Sequence, residues 1–208
     1  MNAARRIVAF NHVSADGYFS ALDGSLTWVI QDPELDRSVA AGIEQSARDA
    51  SDDTILFGRR TYEQFEAFWP HALDDSATSP DPHHAGRRSP EIRAMAVMLN
   101  EATKLVFSRT RKDVTWKHSR VLHTIDPREI EALKAQPGKD IMIFGSGTVV
   151  SALTQCGLID EYQFIVSPLL LGSGRQLING VSQSLTVHLL EAKAFPSGNV
   201  KLRYERRS

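Results

Sequence analysis

Three short stretches of the sequence place glycine residues, arginine side chains or hydroxyl side chains directly after an apolar run. They are Gly58-Arg59-Arg60-Thr61, Ser108-Arg109-Thr110 and Gly145-Ser146-Gly147-Thr148. Glycine lets backbone amides approach a phosphate closely, and arginine presents a planar set of donors that matches phosphate oxygens. A glycine turn that leads into a helix adds unpaired N–H groups and the positive end of the helix dipole. Together these residue types predict a site for a phosphorylated ligand.

The first stretch raises an electrostatic problem, because Arg59 and Arg60 stand where a helix is predicted to begin. A helix N-terminus carries partial positive charge and favours acidic residues, so a bound anion would compensate the two arginines. Two or three arginines exceed what a pyrophosphate requires, and the surplus suits the 2′-phosphate that distinguishes NADP from NAD. We predict that only one of the pair contacts phosphate directly, and that it is Arg59, which lies nearer to the strand end.

Each motif also has an ordinary interpretation when it is taken alone. A Gly-Ser-Gly sequence before a helix is most often a tight turn, and a surface arginine is most often solvated. A nucleotide site is favoured because residues of these types recur after three separate apolar runs. Ligands of open α/β sheets bind at the carboxyl ends of parallel strands, where all three stretches would lie side by side.

Apolar runs without alternation precede these stretches and are typical of strands buried on both faces of a parallel sheet. The runs span 54–59, 104–109 and 141–146, and 5–14 is a fourth candidate strand. Segments whose apolar residues recur at helical spacing lie between these runs. Three helix starts combine a capping side chain with a following proline, at Asp32-Pro33, Ser89-Pro90 and Asp126-Pro127; further helices are predicted after Arg60 and from Thr148 to Cys156.

The final third of the chain changes to strand-like segments, at 161–172, 185–195 and 199–206. A turn at 196–199 joins the last two, which predicts an antiparallel hairpin. We therefore expect a single α/β domain over residues 1–208, with helices on both faces of a mixed, mainly parallel sheet. Residues 70–90 show no periodicity and are predicted to form a long flexible loop.

Composition excludes several classes of function. With 24 basic and 25 acidic side chains, the chain has no global charge that would favour nucleic acid or an anionic membrane as partner. Cys156 is the only cysteine, so an internal disulfide and a cysteine-based metal cluster are excluded. His83 and His84 are interpreted as exposed loop residues, and no metal site is expected. The short apolar run after the N-terminal arginines predicts no signal peptide and a cytoplasmic protein.

The chain carries five motifs in one order, VSADGYFS (13–20), LFGRRTYEQF (56–65), VFSRT (106–110), IMIFGSGTVVSAL (141–153) and GLIDEYQFIVSPLLLGSGRQLI (157–178). Together they resemble the dihydrofolate-reductase-like superfamily. The likeness is greatest to the reductase (C-terminal) domain of the bifunctional riboflavin-biosynthesis deaminase-reductase, RibD, and to its stand-alone bacterial relatives. The resemblance implies a three-layer α/β fold, an NADPH-dependent reductase and a homodimer.

The resemblance also implies roles for the three stretches and for two loops. Gly58 to Thr61 would meet cofactor phosphate, Ser108 to Thr110 the adenosine-side phosphate, and Gly145 to Thr148 the pyrophosphate. The loop from Asp16 to Trp28 would cover the nicotinamide and the substrate. The residues expected on the substrate side are Gly17, Trp28, Gly172 and Gly174, although the loop that contains Gly172 and Gly174 could equally be a plain turn.

Hydride transfer requires alignment, exclusion of water and a proton source. The candidate catalytic acids are Asp16 and Asp32, with Glu34 nearby, and Asp32 is also well placed to cap a helix. Asp32 follows Trp28 by four residues and matches only loosely the acid that binds pterin in folate reductases. The substrate therefore stays open between a pterin- or pyrimidine-like heterocycle and a carbonyl compound. The alternative function is nucleotide binding without turnover, as in a sensor.

Overall fold

The computed structural model describes residues 4–47, 53–74 and 89–207, and within them the chain forms ten strands and five α-helices. The strands are β1 (Ile7–Ser14), β2 (Tyr18–Ser20), β3 (Thr54–Gly58), β4 (Thr103–Phe107), β5 (Ser119–Leu122), β6 (Ile141–Phe144), β7 (Glu161–Ser167), β8 (Arg175–Gln176), β9 (Val187–Ala194) and β10 (Val200–Arg206). The helices are α1 (Pro33–Ala47), α2 (Arg59–Phe68), α3 (Pro90–Glu101), α4 (Pro127–Lys134) and α5 (Gly147–Gln155), and Trp69–His71 form one 3-10 turn.

Eight of these strands form one sheet in the order β5-β4-β3-β6-β1-β7-β10-β9. The pairs from β5 through to β7 are parallel, whereas β10 runs antiparallel to both β7 and β9. The predictions of a mixed, mainly parallel sheet and of a C-terminal antiparallel hairpin are confirmed. A separate ribbon pairs β2 with β8. The sequence did not predict β2, β5 or β8, because they are short and lack an apolar run.

Helices cover both faces of the sheet, as predicted. Along β1 successive side chains point to opposite faces. Ala9 therefore packs in one apolar cluster with Ile130 of α4 and Val149 of α5. Phe10 packs in the cluster of the other face, which contains Tyr62 of α2. The buried strands between the two helical layers carry the predicted strand ends to one edge of the sheet.

The three predicted capping side chains all accept backbone hydrogen bonds at helix starts. Asp32 accepts from the N–H groups of Glu34 and Leu35, Ser89 accepts from Ile92, and Asp126 accepts from Arg128. The following prolines occupy the first position of α1, α3 and α4. Of the predicted loop at 70–90, residues 75–88 lie outside the described part of the chain, and so do His83 and His84.

Candidate functional site

A cavity of about 1450 Å³ opens at the carboxyl ends of the central parallel strands. The structure brings all eleven predicted cofactor-binding residues into its lining, namely Gly58, Arg59, Arg60, Thr61, Ser108, Arg109, Thr110, Gly145, Ser146, Gly147 and Thr148. They come from the ends of β3, β4 and β6, which are neighbours or near neighbours in the sheet. This position is where parallel α/β sheets bind ligands.

Hydroxyl groups tie the first and third strand ends together. The Gly58 N–H donates to Ser146 Oγ over 2.8 Å, and the Ser146 N–H donates to Thr61 Oγ1 over 3.1 Å. Gly145 adopts a φ of +58°, and a Cβ at this position would lie 3.2 Å from Thr61 Cγ2. The hydroxyls of Thr61 and Ser146 therefore set the spacing between the two loops, and the backbone between them faces the cavity.

Helices α2 and α5 begin at strand ends that line the cavity, and in the part of the chain that the structure describes neither has a capping side chain. Their N-cap residues are Gly58 and Ser146, and neither residue caps its helix through a side-chain hydrogen bond. The other three helices are capped by Asp32, Ser89 and Asp126, although the first turns of α1 and α3 also line the cavity. Uncapped N–H groups and two helix dipoles directed at one cavity favour a bound anion.

The second strand end is held by its serine. Ser108, which is 7% exposed, accepts hydrogen bonds at Oγ from the N–H groups of Thr110 (3.3 Å) and Arg111 (2.9 Å). This turn leaves the side chains of Arg109 and Thr110 exposed at the cavity. Ser108 thus positions the loop, while Arg109 is the side chain that the loop presents.

The two arginines at the start of α2 have different surroundings. Arg59 makes an ion pair one helical turn along, with 3.0 Å from Nη1 to Glu63 Oε1. Neither Arg60 nor Arg109 has a hydrogen-bond or ion-pair partner within residues 4–47, 53–74 and 89–207. Glu63 therefore supplies part of the negative charge that the helix start lacked. The choice of Arg59 over Arg60 as the phosphate ligand stays a prediction.

A partly buried acid joins α2 to the loop after β4. Glu66 accepts hydrogen bonds from Thr115, from the Tyr62 hydroxyl (2.9 Å) and from Arg111 Nη2 (2.5 Å). Arg111 also lies over the Tyr62 ring, 5.0 Å from its centroid. Burial raises the pKa of Glu66, but these hydrogen bonds outweigh burial and hold the pKa at about 2. The cluster fixes the loop that carries Arg109 against α2.

We expect the stability of the protein to depend on Glu66 in acid. A carboxylate whose folded pKa is about 2 instead of 4.5 stabilises the fold above pH 4.5, and this contribution is lost as the pH falls toward 2. Replacing Glu66→Gln should lower the free energy of unfolding at pH 7 by about 2 kcal/mol and flatten its decline between those pH values. Urea denaturation at several pH values measures both effects.

The control for this prediction is Glu101→Gln, because the Glu101 side chain is 67% exposed in a surface pair with Lys117. This variant should leave the free energy of unfolding nearly unchanged at pH 7. An unfolding curve of Glu66→Gln that keeps the acid dependence of the parent would contradict the role given to Glu66.

The candidate catalytic acids do not line the cavity. Asp16 accepts hydrogen bonds from the Ser14 hydroxyl (2.5 Å) and from the N–H groups of Leu171 and Gly172, and the Ser14 bond lowers its pKa. Asp32 caps α1 and accepts from the Ser197 N–H over 3.1 Å; hydrogen bonding from Ser197 is the main reason that its pKa falls to about 2. Both carboxylates hold loops together.

The four predicted substrate-side residues, Gly17, Trp28, Gly172 and Gly174, are not in the cavity lining. A Cβ on Gly174 would lie 2.5 Å from the Ser20 carbonyl oxygen, so this glycine permits the close pairing of β2 with β8. The residues of these loops that do line the cavity are Phe19, Ser20, Asp23, Gly24, Leu26, Val29, Ile30, Gln31, Arg175 and Gln176.

Sequence reasoning missed several polar residues of the lining, among them Asn11 and His12 of β1 and Asp36 of α1. Asn11 is 2% exposed, and its amide atoms have no hydrogen-bond partner in the described chain. The signal for Asn11 and His12 was their polar character inside a largely buried strand. The signal for Asp36 was its place beside Leu35 on a helix that the capping motif had already located.

A chain of aromatic side chains forms a second part of the lining, which we name the aromatic wall. It consists of His12, Phe10, Phe144, Phe65 and Trp69. Consecutive ring centroids are 5.8, 5.9, 5.9 and 6.0 Å apart, so the rings form one continuous surface. Leu35 and Val39 of α1 and Ile92 and Met95 of α3 also line this part of the cavity.

Within the described ranges, no cluster of three or more histidine, cysteine, aspartate or glutamate side chains is arranged to hold a metal ion. In the same ranges, no helix combines the length and the apolar character needed to cross a membrane.

Comparison with known proteins identifies similar chains. The model of the RibD C-terminal domain matches residues 5–201. The uncharacterized protein YyaP of Bacillus subtilis (strain 168) is 27% identical over 200 residues, which is 96% of this chain and 94% of YyaP. A pyrimidine reductase-like protein from Corynebacterium diphtheriae superposes with a TM-score of 0.61 at 14% identity and covers 98% of this chain and 92% of its own.

A second solved structure is dihydrofolate reductase from Enterococcus faecalis, complexed with NADP(H) and RAB-propyl. It superposes with a TM-score of 0.60 at 14% identity, and the match covers 100% of both chains. These likenesses confirm the predicted three-layer α/β, dihydrofolate-reductase-like fold.

Proposed function

We propose that this chain, which belongs to the RibD C-terminal domain family, is an NADPH-dependent reductase of a small heterocyclic or carbonyl-type substrate. The observation that carries the proposal is the convergence of three arginines and two uncapped helix N-termini on one cavity. Such an arrangement has strong affinity for phosphate groups. The cavity continues from these groups to the aromatic wall, which offers space for a substrate beside the cofactor.

The residues present fit NADPH. Arg109 and Arg59 would hold the 2′-phosphate, and the backbone from Gly145 to Thr148 would hold the pyrophosphate at the start of α5. Gly147 lets Phe19 and the Leu177 carbonyl pack closely against the start of α5, because a Cβ there would lie 2.8 Å from Phe19 Cε1 and 3.2 Å from the Leu177 carbonyl oxygen. When bound, NADPH supplies a hydride.

The remaining tasks fall to the chain itself. The loop from Asp16 to Trp28 would exclude water from the reacting atoms, supported by the Gln64 Nε2 hydrogen bond to the Gly24 carbonyl (3.2 Å). For the proton, the sequence-based candidates Asp16 and Asp32 lie outside the cavity lining. His12 and Asp36 do line the cavity, and they are the candidates for the proton donor within it.

The proposal is tested by calorimetric titration of the purified protein with NADPH and with NADH, followed by assays of NADPH oxidation. Pterins, pyrimidine-type aminoketones and quinones serve as acceptors. We expect NADPH to bind more tightly than NADH and to be oxidised with at least one acceptor. Tight binding without turnover across these acceptors would favour the alternative of a nucleotide-binding sensor, and an absence of binding would refute both.

We also propose that the chain pairs with a second copy. On β7, β10 and β9 the side chains of Phe164, Leu202, Tyr204 and Leu189 share one sheet face and are half-buried or exposed, with Leu189 at 47%. Arg206 shares this face, whereas the other charged side chains of these strands point to the other face. Because an antiparallel sheet normally turns its apolar face away from water, this mainly apolar surface supports a homodimer. Light scattering measures the mass in solution.

A further inference from the structure

The cavity has two chemically different halves. Arg59, Arg60 and Arg109 lie at the strand ends. The half bounded by the aromatic wall, α1 and α3 has no arginine or lysine in its lining among the residues that the structure describes. Arg175 lines the cavity from β8, where its Nη2 donates to the Leu22 carbonyl over 2.9 Å. Cationic groups are therefore concentrated where the cofactor phosphates would lie.

The lining of the second half is unsuited to a charged ligand. The aromatic wall presents ring faces and edges, and Leu35, Val39, Ile92 and Met95 are all aliphatic or thioether side chains. An ionised phosphate that leaves water for such surroundings loses hydration without gaining an ion pair. A flat conjugated molecule gains dispersion and aromatic contacts in the same space.

An acid strengthens this selectivity. Glu91 of α3 lines this half of the cavity. Glu91 is held charged, because hydrogen bonds from its own N–H and from Ser89 lower its pKa, with a smaller contribution from the charge of Arg37. Arg37 does not line the cavity. Carboxylates beside a bound anion repel it.

From this distribution of charge we infer that the hydride acceptor of this protein is a flat, conjugated, uncharged molecule without a phosphate group. The inference rests on the proposed function and narrows its substrate class. A neutral quinone is a suitable probe. NADPH, one proton and 1,4-naphthoquinone would give NADP⁺ and the naphthohydroquinone, with two electrons passing from the nicotinamide to the quinone.

A matched pair of probes tests the inference by binding. The pair is 1,4-naphthoquinone and 1,4-naphthoquinone-2-sulfonate, which differ by one anionic group. The protein is first saturated with NADP⁺, so that the arginines are occupied and no turnover occurs. Quenching of the fluorescence of Trp69, which lines the cavity, reports binding, and Trp69→Phe identifies its share of the signal. We expect the neutral quinone to bind about tenfold more tightly or better.

A pair of variants tests the cause of the selectivity. Glu91→Gln removes an acid from the cavity, whereas Glu101→Gln makes the same change on the same helix at a residue outside the lining. Glu91→Gln should tighten binding of the sulfonate about threefold or more and leave that of the neutral quinone unchanged. Glu101→Gln should change neither. Equal responses of the two variants would overturn the role given to Glu91.

The two proposals fail separately. If the protein does not bind NADPH or NADP⁺ in calorimetry, the proposed function is wrong. If it binds the cofactor but prefers the sulfonate, or binds the two quinones equally, the inference about the acceptor is overturned and the reductase proposal stands.

Discussion

Replacing Arg109→Ala should weaken NADPH binding by about 1–3 kcal/mol, or roughly 5- to 150-fold, and leave NADH binding nearly unchanged. The physical reason is that Arg109 is exposed at the cavity with no partner in the described chain, so a charge-assisted bond to the 2′-phosphate costs no existing ion pair. NADH lacks that phosphate. Calorimetric titration of parent and variant with both cofactors measures the difference, and equal losses for NADPH and NADH would remove the basis for an NADP site.

The same titrations decide between the arginines at the start of α2. Arg59→Ala should discriminate between the cofactors as Arg109→Ala does, although Arg59 must first leave Glu63. Both side chains of that pair are about 40% exposed, and such a surface pair contributes less than about 1 kcal/mol. Glu63→Gln should therefore tighten NADPH binding slightly. If Arg60→Ala discriminates and Arg59→Ala does not, the prediction for Arg59 is wrong.

Replacing Gly147→Ala should weaken the binding of NADPH and of NADH together. The added Cβ would lie 2.8 Å from Phe19 Cε1 and 3.2 Å from a backbone oxygen, closer than a packed core tolerates. The side-chain and backbone shifts that such overpacking forces typically lower the free energy of unfolding by about 1–3 kcal/mol. They would displace the start of α5, where the pyrophosphate common to both cofactors would bind. Calorimetry gives the two affinities, and urea denaturation gives the free energy of unfolding.

Gly42→Ala is the matched control for this substitution. Gly42 lies inside α1, and a Cβ there would meet nothing within 4 Å. This variant should raise the free energy of unfolding by about 0.5–1 kcal/mol, because alanine loses less conformational freedom in a helix, and leave cofactor binding unchanged. A Gly147→Ala variant that is destabilised but keeps full affinity would show that the glycine serves packing alone.

The parts of the fold that could be predicted are those decided by near neighbours in the sequence. Asp32, Ser89 and Asp126 cap helices through bonds to residues two or three positions away, so their role is legible in a short stretch. The buried strands β3, β4 and β6 can be recognised in the sequence as uninterrupted apolar runs. By contrast β5 and β8 are strands only because a neighbouring strand pairs with them.

The candidate site likewise has a part that could be predicted from local sequence and a part that could not. Glycine, hydroxyl and arginine residues after apolar strands indicated a phosphate site, and the parallel arrangement of those strands placed them at one edge. The use of each acid could not be predicted in this way. Asp16 bonds to the backbone of Leu171 and Gly172, and Asp32 reaches Ser197, across more than 150 positions of sequence.

By itself the sequence determined the fold class, the helix starts and the residue types that gather at the strand ends, because each depends on local periodicity and local hydrogen bonds. Only the tertiary structure decided which side chains face the cavity. It joined the two strand ends through Ser146 and Thr61, withdrew Asp16 and Asp32 into loop contacts, and brought the aromatic wall and Glu91 into one cavity. These outcomes depend on contacts between distant segments, which form only when the whole sheet is assembled.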